Sequence, residues 1–157
     1  MADAAVQMTD SSSTLTVQTS RFGEVTIDAG KVIRMTSPFL GFPDSRRFFL
    51  KAHSKDSPFF WLQSVDEPEL AFVVVQAQHL LSDYHPSLPP FVLKELGHPR
   101  ESELDILLLL TIPKGHPERM TANLLAPLVV NSSRRLAKQV LLDPHTYDPC
   151  WPVFNRS

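Results

Sequence analysis

Apolar and polar residues alternate with a period of two along much of this chain. Leu15 and Val17 interleave with Thr and Gln across Thr14–Thr19, the signature of a strand with one buried face. Val25 and Ile27 repeat the pattern after Arg21-Phe22-Gly23, where Gly23 allows a bulge or a close backbone approach. Ala29-Gly30 reads as the turn into a third strand at 31–35, so the beginning of the chain predicts a meander of short antiparallel strands. The segment Pro38-Phe39-Leu40-Gly41-Phe42-Pro43 mixes turn formers with large apolar residues and is expected to tuck its side chains inward. Strands are expected at Arg47–Ala52, Phe59–Ser64 and 70–75, separated by polar turns, as in a barrel or sandwich.

Residues 104–112 are almost continuously Leu and Ile, which suits a strand covered on both sides or a short buried helix. A helix is predicted at 90–96, with Pro90 in its first turn, Val92 and Leu96 four apart, and Gly97 as its C-terminal cap. Residues 123–130 and 138–142 read as closing strands around a turn containing Asn131-Ser132-Ser133. The pattern divides the chain into a disordered tail at 1–13, one domain at 14–142, and an irregular Pro-rich arm at 143–157 held by Trp151 and Phe154.

Composition narrows the function. The 157 residues fit one domain, and 43% hydrophobic with 20% charged residues is a globular balance. A net charge of −2 gives no general attraction for phosphate backbones, so direct nucleic-acid binding is not expected. One cysteine, Cys150, fits a reducing cytoplasm, and the start of the chain lacks the basic and apolar blocks of a secretory signal. The run at 106–112 is far shorter than the roughly 20 residues of a membrane-spanning helix.

Candidate chemistry is sparse. The six histidines form no metal-ligand spacing, His145 and Cys150 are linked only by proximity, and phosphate-binding and nucleophile-elbow motifs are absent. No cofactor and no catalytic activity are expected. Two acidic groups remain, Asp66, Glu67 and Glu69 in a turn, and Glu101, Glu103 and Asp105 ahead of the apolar run. Either suits a basic partner, although exposed charge more often serves solubility. In Phe59-Phe60-Trp61, alternation puts Phe59 and Trp61 on one face, which is either core packing or an exposed aromatic patch for an apolar partner. Arg134, Arg135 and Lys138 read as surface charge without a stacking platform. Gln63, Ser64, Asn123 and Asn131 sit where polar side chains commonly serve main-chain groups at strand ends.

In order and spacing, Arg21-Phe22-Gly23, Gly41-Phe42, Trp61-Leu62-Gln63-Ser64, Leu70-Ala71-Phe72, Tyr84, Asn123-Leu124, Ala126-Pro127 and Gln139-Val140 resemble the FliW family of flagellar assembly factors. The likeness runs from about residue 20 to residue 142; the Ser-rich start, His79-Leu80-Leu81 and Cys150-Trp151-Pro152 depart from it. The resemblance implies an all-β or β-rich fold, a single small antiparallel β-barrel-like domain with one or two short helices. It also implies two partners, flagellin before export and CsrA, a repressor of flagellin mRNA translation that this protein would antagonise when flagellin is depleted. Under it, Phe59, Trp61, Asp66, Glu67, Glu69, Glu101, Glu103 and Asp105 become partner-binding candidates. A single-stranded RNA-binding OB-like barrel is the alternative that short strands and exposed aromatics suggest.

Overall fold

A computed structural model describes residues 13–154, so the expected tail at 1–13 lies, apart from Ser13, outside the described residues. Strands β1 (Thr14–Thr19) and β2 (Gly23–Asp28) form a separate hairpin. The barrel strands are β3 (Ile33–Met35), β4 (Arg47–Ala52), β5 (Phe59–Ser64), β6 (Ala71–Gln76), β7 (Leu104–Thr111), β9 (Leu128–Asn131) and β10 (Leu136–Gln139). Short strands β8 (Thr121–Ala122) and β11 (Trp151–Pro152) extend the sheet beyond β7. Between β6 and β7 lie the short helices α1 (Ala77–Leu80) and α2 (Pro90–Glu95).

The barrel order is β7-β6-β5-β4-β3-β10-β9, and β9 returns to β7 through Asp105↔Val130 and Ile106↔Val129. Strands of strictly alternating direction cannot close a ring of odd number. The seven-stranded barrel therefore requires a parallel pair, which β3 and β10 supply at Leu136↔Arg34 and Ala137↔Met35. The remaining pairs are antiparallel, so the β-rich barrel with two short helices is as expected. The meander is not: β2 pairs with β1 alone among the described strands, and the hairpin lies against the outside of the barrel.

Inward positions follow the two-residue period. Ile33, Phe48, Leu62, Val74, Leu107, Leu128, Val130 and Ala137 fill the interior and are almost wholly buried. Leu108 and Val75 face outward into a second cluster with Tyr84, Met120, Ala122 and Val153. Strand β7 is thus apolar on both faces, which resolves the strand-or-helix ambiguity at 104–112 in favour of a strand. Helix α2 packs Val92 and Leu96 on Val129 and Val140. It ends in a Schellman motif, with His98 N–H donating to Leu93 O at 2.8 Å and Gly97 N–H to Lys94 O at 3.0 Å. Gly97, at φ +83°, provides the left-handed residue that this stop requires.

Three other expectations change. Gly23 has φ +69° and no atom within 4 Å of a hypothetical Cβ, so it serves the turn's backbone and not a close approach. Residues 123–127 form a turn instead of the start of a strand, because Asn123 Oδ1 accepts from the amides of Leu125 and Ala126, both at 3.0 Å. In the C-terminal arm, Trp151 and buried Val153 anchor the chain through β11 while Phe154 is exposed.

The strand directions give the barrel two distinct ends. At one, β3 finishes and β4 begins, and the intervening loop turns Phe39 into the interior as a plug. Phe39 stacks on Phe72 at 4.9 Å between ring centroids and lies 5.4 Å from Phe48, while Leu40 stays exposed. The other end, where β7 and β10 begin and β6 finishes, has no such plug among the described residues.

Candidate partner-binding site

At the unplugged end, Asp105 and Arg135 precede inward-facing Leu107 and Ala137 by two residues and so lie over the barrel interior. With Gln76 they line a cavity of about 50 Å³ whose remaining walls are Ile33, Leu50, Phe60, Leu107 and Val130. Gln76 and Asp105 also border a groove of about 500 Å³ between the start of β7 and the segment after α1. Its walls include Leu88, Leu104, Ile106, Pro86, His85 and Glu101. A small apolar hole and a broader groove edged by carboxylates therefore meet at Asp105.

Arg135 has an unusual backbone. It ends the connection between β9 and β10 with φ +57° and its N–H on Asn131 O at 2.8 Å, a left-handed position that glycine or asparagine usually occupies. For arginine, the left-handed conformation costs on the order of 1–2 kcal/mol. Its Nη2 donates to Lys31 O at 2.8 Å, and its Nε is buried with no acceptor among the described residues.

The predicted acidic groups behave differently. Asp66 accepts from the amides of Arg46 at 2.8 Å and Arg47 at 3.0 Å, and from the Arg47 guanidinium at 2.8 and 3.1 Å. Burial alone would raise the Asp66 pKa, but these donors outweigh it and hold the carboxyl below its ordinary 3.8. Glu67 accepts from the Ser45 hydroxyl, leaving Glu69 as the exposed carboxylate of that turn. Glu103 accepts from the Arg100 amide at 2.8 Å and lies 3.5 Å from its guanidinium nitrogen; the amide bond first and the guanidinium second lower its pKa. Glu101 and Asp105 have no hydrogen-bond or ion-pair partner among the described residues.

The aromatic candidates lie on the outer face of β5. Trp61 is covered by the β1–β2 turn, with Phe22 edge-on at 6.0 Å and the Arg21 guanidinium 4.1 Å above its ring. Phe59 packs against the cluster built on Leu108. Both are half-buried, and neither borders the groove at the open end.

Two charges read as free surface are engaged. Lys138 Nζ lies 3.3 Å from Glu95, and Arg135 reaches across the barrel end. The Thr36 hydroxyl donates to Glu95 at 2.6 Å and is the main cause of that carboxyl's lowered pKa; burial opposes it and Lys138 adds to it. Gln63, Ser64, Asn123 and Asn131 serve main-chain groups: Gln63 Nε2 reaches three carbonyls, and Asn131 Nδ2 donates to Leu96 O at 2.7 Å. Tyr84 donates its hydroxyl to Leu124 O at 2.8 Å, and burial, with Tyr147 beside it, raises its pKa.

The family model for the FliW protein matches residues 16–153, nearly the whole described chain. The chain belongs to the FliW family. It is 40% identical over 137 residues to the flagellar assembly factor FliW of Magnetococcus marinus, covering 87% of this chain and 83% of that protein. To the flagellar assembly factor FliW of Geobacter sulfurreducens it is 36% identical over 143 residues, covering 91% and 89%. A crystal structure of the flagellar assembly factor FliW superposes with a TM-score of 0.80 at 29% identity, covering 91% of this chain and 99% of that one. The match includes β11, so the FliW-family domain reaches past residue 142 into the Pro-rich arm. The barrel has seven strands where an OB-fold has five, so its fold is not of the OB type. No helix among the described residues is long and apolar enough to cross a membrane.

Proposed function

We propose that this chain is a cytoplasmic flagellar assembly factor that binds flagellin before export and, when flagellin is depleted, binds CsrA and relieves its repression of flagellin mRNA translation. The observation that carries the reading is the match to flagellar assembly factors along the whole barrel. The open end supplies a physical means. Its groove combines apolar walls suited to one face of an amphipathic segment with the unpaired carboxylates of Glu101 and Asp105, which complement a basic RNA-binding regulator. Asp66 and Glu67 leave the list of partner contacts in this reading, since their oxygens hold the opposite end of the barrel together. Phe59 and Trp61 serve packing.

Titration of the purified chain with flagellin and with CsrA, followed by addition of each partner to the other's complex, tests the proposal. Saturable binding to both with mutual displacement is expected; binding to neither folded partner overturns it.

A further inference from the structure

Three arginines border one pocket at the plugged end. The pocket, of about 380 Å³, is lined by Arg34 and Met35 of β3, by Arg47 at the start of β4, and by Asp44, Arg46 and Asp66 from the adjoining loops. Arg34 and Arg47 are partners in the β3–β4 register, and the Met35 N–H donates to Arg46 O at 2.8 Å, so the three cations occupy neighbouring positions on two paired segments. Like charges placed directly opposite each other in a sheet are destabilising, and here only one of them has a counterion. Asp66 is that counterion, and its oxygens are spent. Its Oδ1 takes the Arg47 guanidinium, and its Oδ2 takes the amides of Arg46 and Arg47. The exposed guanidiniums of Arg34 and Arg46 have no acceptor among the described residues, and the Asp44 carboxylate has no donor. A single solvated arginine needs no explanation, but two unpaired ones set beside a third across a concave surface concentrate positive potential there.

The lining groups select the anion. A carboxylate is satisfied by one guanidinium fork, whereas a tetrahedral phosphate has oxygens enough for several. Asp44 adds a condition, because an ionised carboxylate only accepts and repels an anion that has no hydrogen to give. Hydrogenphosphate meets both demands, with three unprotonated oxygens and one O–H.

We propose that this pocket binds inorganic hydrogenphosphate, Arg34 and Arg46 donating to its unprotonated oxygens and Asp44 accepting from its O–H, with Arg47 held beside them by Asp66. The bound anion joins β3 to the loop that leads into β4 and relieves the opposition of Arg34 and Arg47, so it stabilises the end of the barrel that Phe39 already closes. The inference is independent of the docking proposed for the open end.

The test follows the arginine Cδ–Hδ signals of the intact chain in phosphate-free buffer at about pH 8, titrated with sodium phosphate at constant ionic strength. Sodium sulfate and methyl phosphate are the comparisons, since at that pH inorganic phosphate keeps one proton and the other two keep none. Saturation by phosphate is expected with a dissociation constant on the order of 1 mM, its shifts centred on Arg34 and Arg46. Sulfate and methyl phosphate should bind at least about threefold more weakly. Arg34→Gln and Arg46→Gln should each weaken phosphate binding roughly tenfold. Neither side chain has a partner to lose, so both variants should keep the amide spectrum of the unaltered chain. Asp44→Asn, whose amide both donates and accepts, should bring the affinity for sulfate up to that for phosphate. Absence of saturation by phosphate, equal binding of sulfate or methyl phosphate by the unaltered chain, or unchanged affinity in both arginine variants would overturn the proposal. None of these outcomes bears on binding of flagellin or CsrA, whose titrations test the proposed function separately.

Discussion

The two ends of the barrel differ in how the interior is filled and how the carboxylates are engaged, although a pocket of about 380 Å³ lined by Arg34, Asp44, Arg46 and Asp66 also lies at the plugged end. At the plugged end, Phe39 fills the interior, and Asp66 and Glu67 spend their oxygens on Arg46, Arg47 and Ser45. At the open end, an apolar cavity remains and the carboxylates of Asp105 and Glu101 are unpaired; each end also holds one buried side-chain atom without a partner among the described residues, Gln63 Oε1 at the plugged end and Arg135 Nε at the open end. Polar groups satisfied within the chain stabilise it, whereas groups left unsatisfied at a concave surface are available to another molecule. In the proposed reading, the plugged end serves stability and the open end serves recognition.

Substitutions can break that assignment. The largest effect is expected at the plug: Phe39→Ala should cost about 3–4 kcal/mol, because a buried ring that packs with three others leaves a cavity, and thermal unfolding would record it. Asp66→Ala should cost about 2 kcal/mol by chemical denaturation, since it strands two amides and a guanidinium, with the half-exposed guanidinium contributing least. Glu95→Gln, which weakens the Thr36 and Lys138 contacts, should cost about 1 kcal/mol.

Acid sharpens the same contrast. The folded pKa values of Asp66 and Glu95 lie below their ordinary 3.8 and 4.5, so their stabilisation is complete above those values and lost as pH falls through the lower folded ones. Unfolding measured at a series of pH values should show this loss, reduced in Asp66→Ala. The smallest effect on stability belongs to the open end. Glu101→Gln with Asp105→Asn should change unfolding free energy by no more than about 0.5 kcal/mol, because neither carboxylate has a partner to lose.

Much of the barrel is legible from alternation, since Phe48, Leu62, Val74 and Leu107 each mark the inward face of a strand. Its closure is not. The parallel β3–β10 pair and the β7–β9 contact join residues about a hundred and about twenty-five positions apart, and nothing local encodes such registers. Residues 123–127 looked strand-like because Leu124 and Ala126 are buried, but Asn123 captures the amides that a strand would have offered to a neighbour. The acidic groups looked alike in sequence because charge does not disclose its hydrogen-bond partners; Asp66 met two amides and Asp105 none. Arg135 left one trace, an arginine at the close of a short turn where glycine or asparagine is the usual choice. That trace becomes visible only once both strand ends are known.

The most direct test compares the two ends in one binding experiment, titrating CsrA into the unaltered chain, Glu101→Gln with Asp105→Asn, and Glu69→Gln, each at low and high salt. The account predicts weaker, less salt-sensitive binding for the open-end double variant and near-normal binding for Glu69→Gln. Normal binding by the double variant, or loss confined to Glu69→Gln, would place recognition at the plugged end and contradict it.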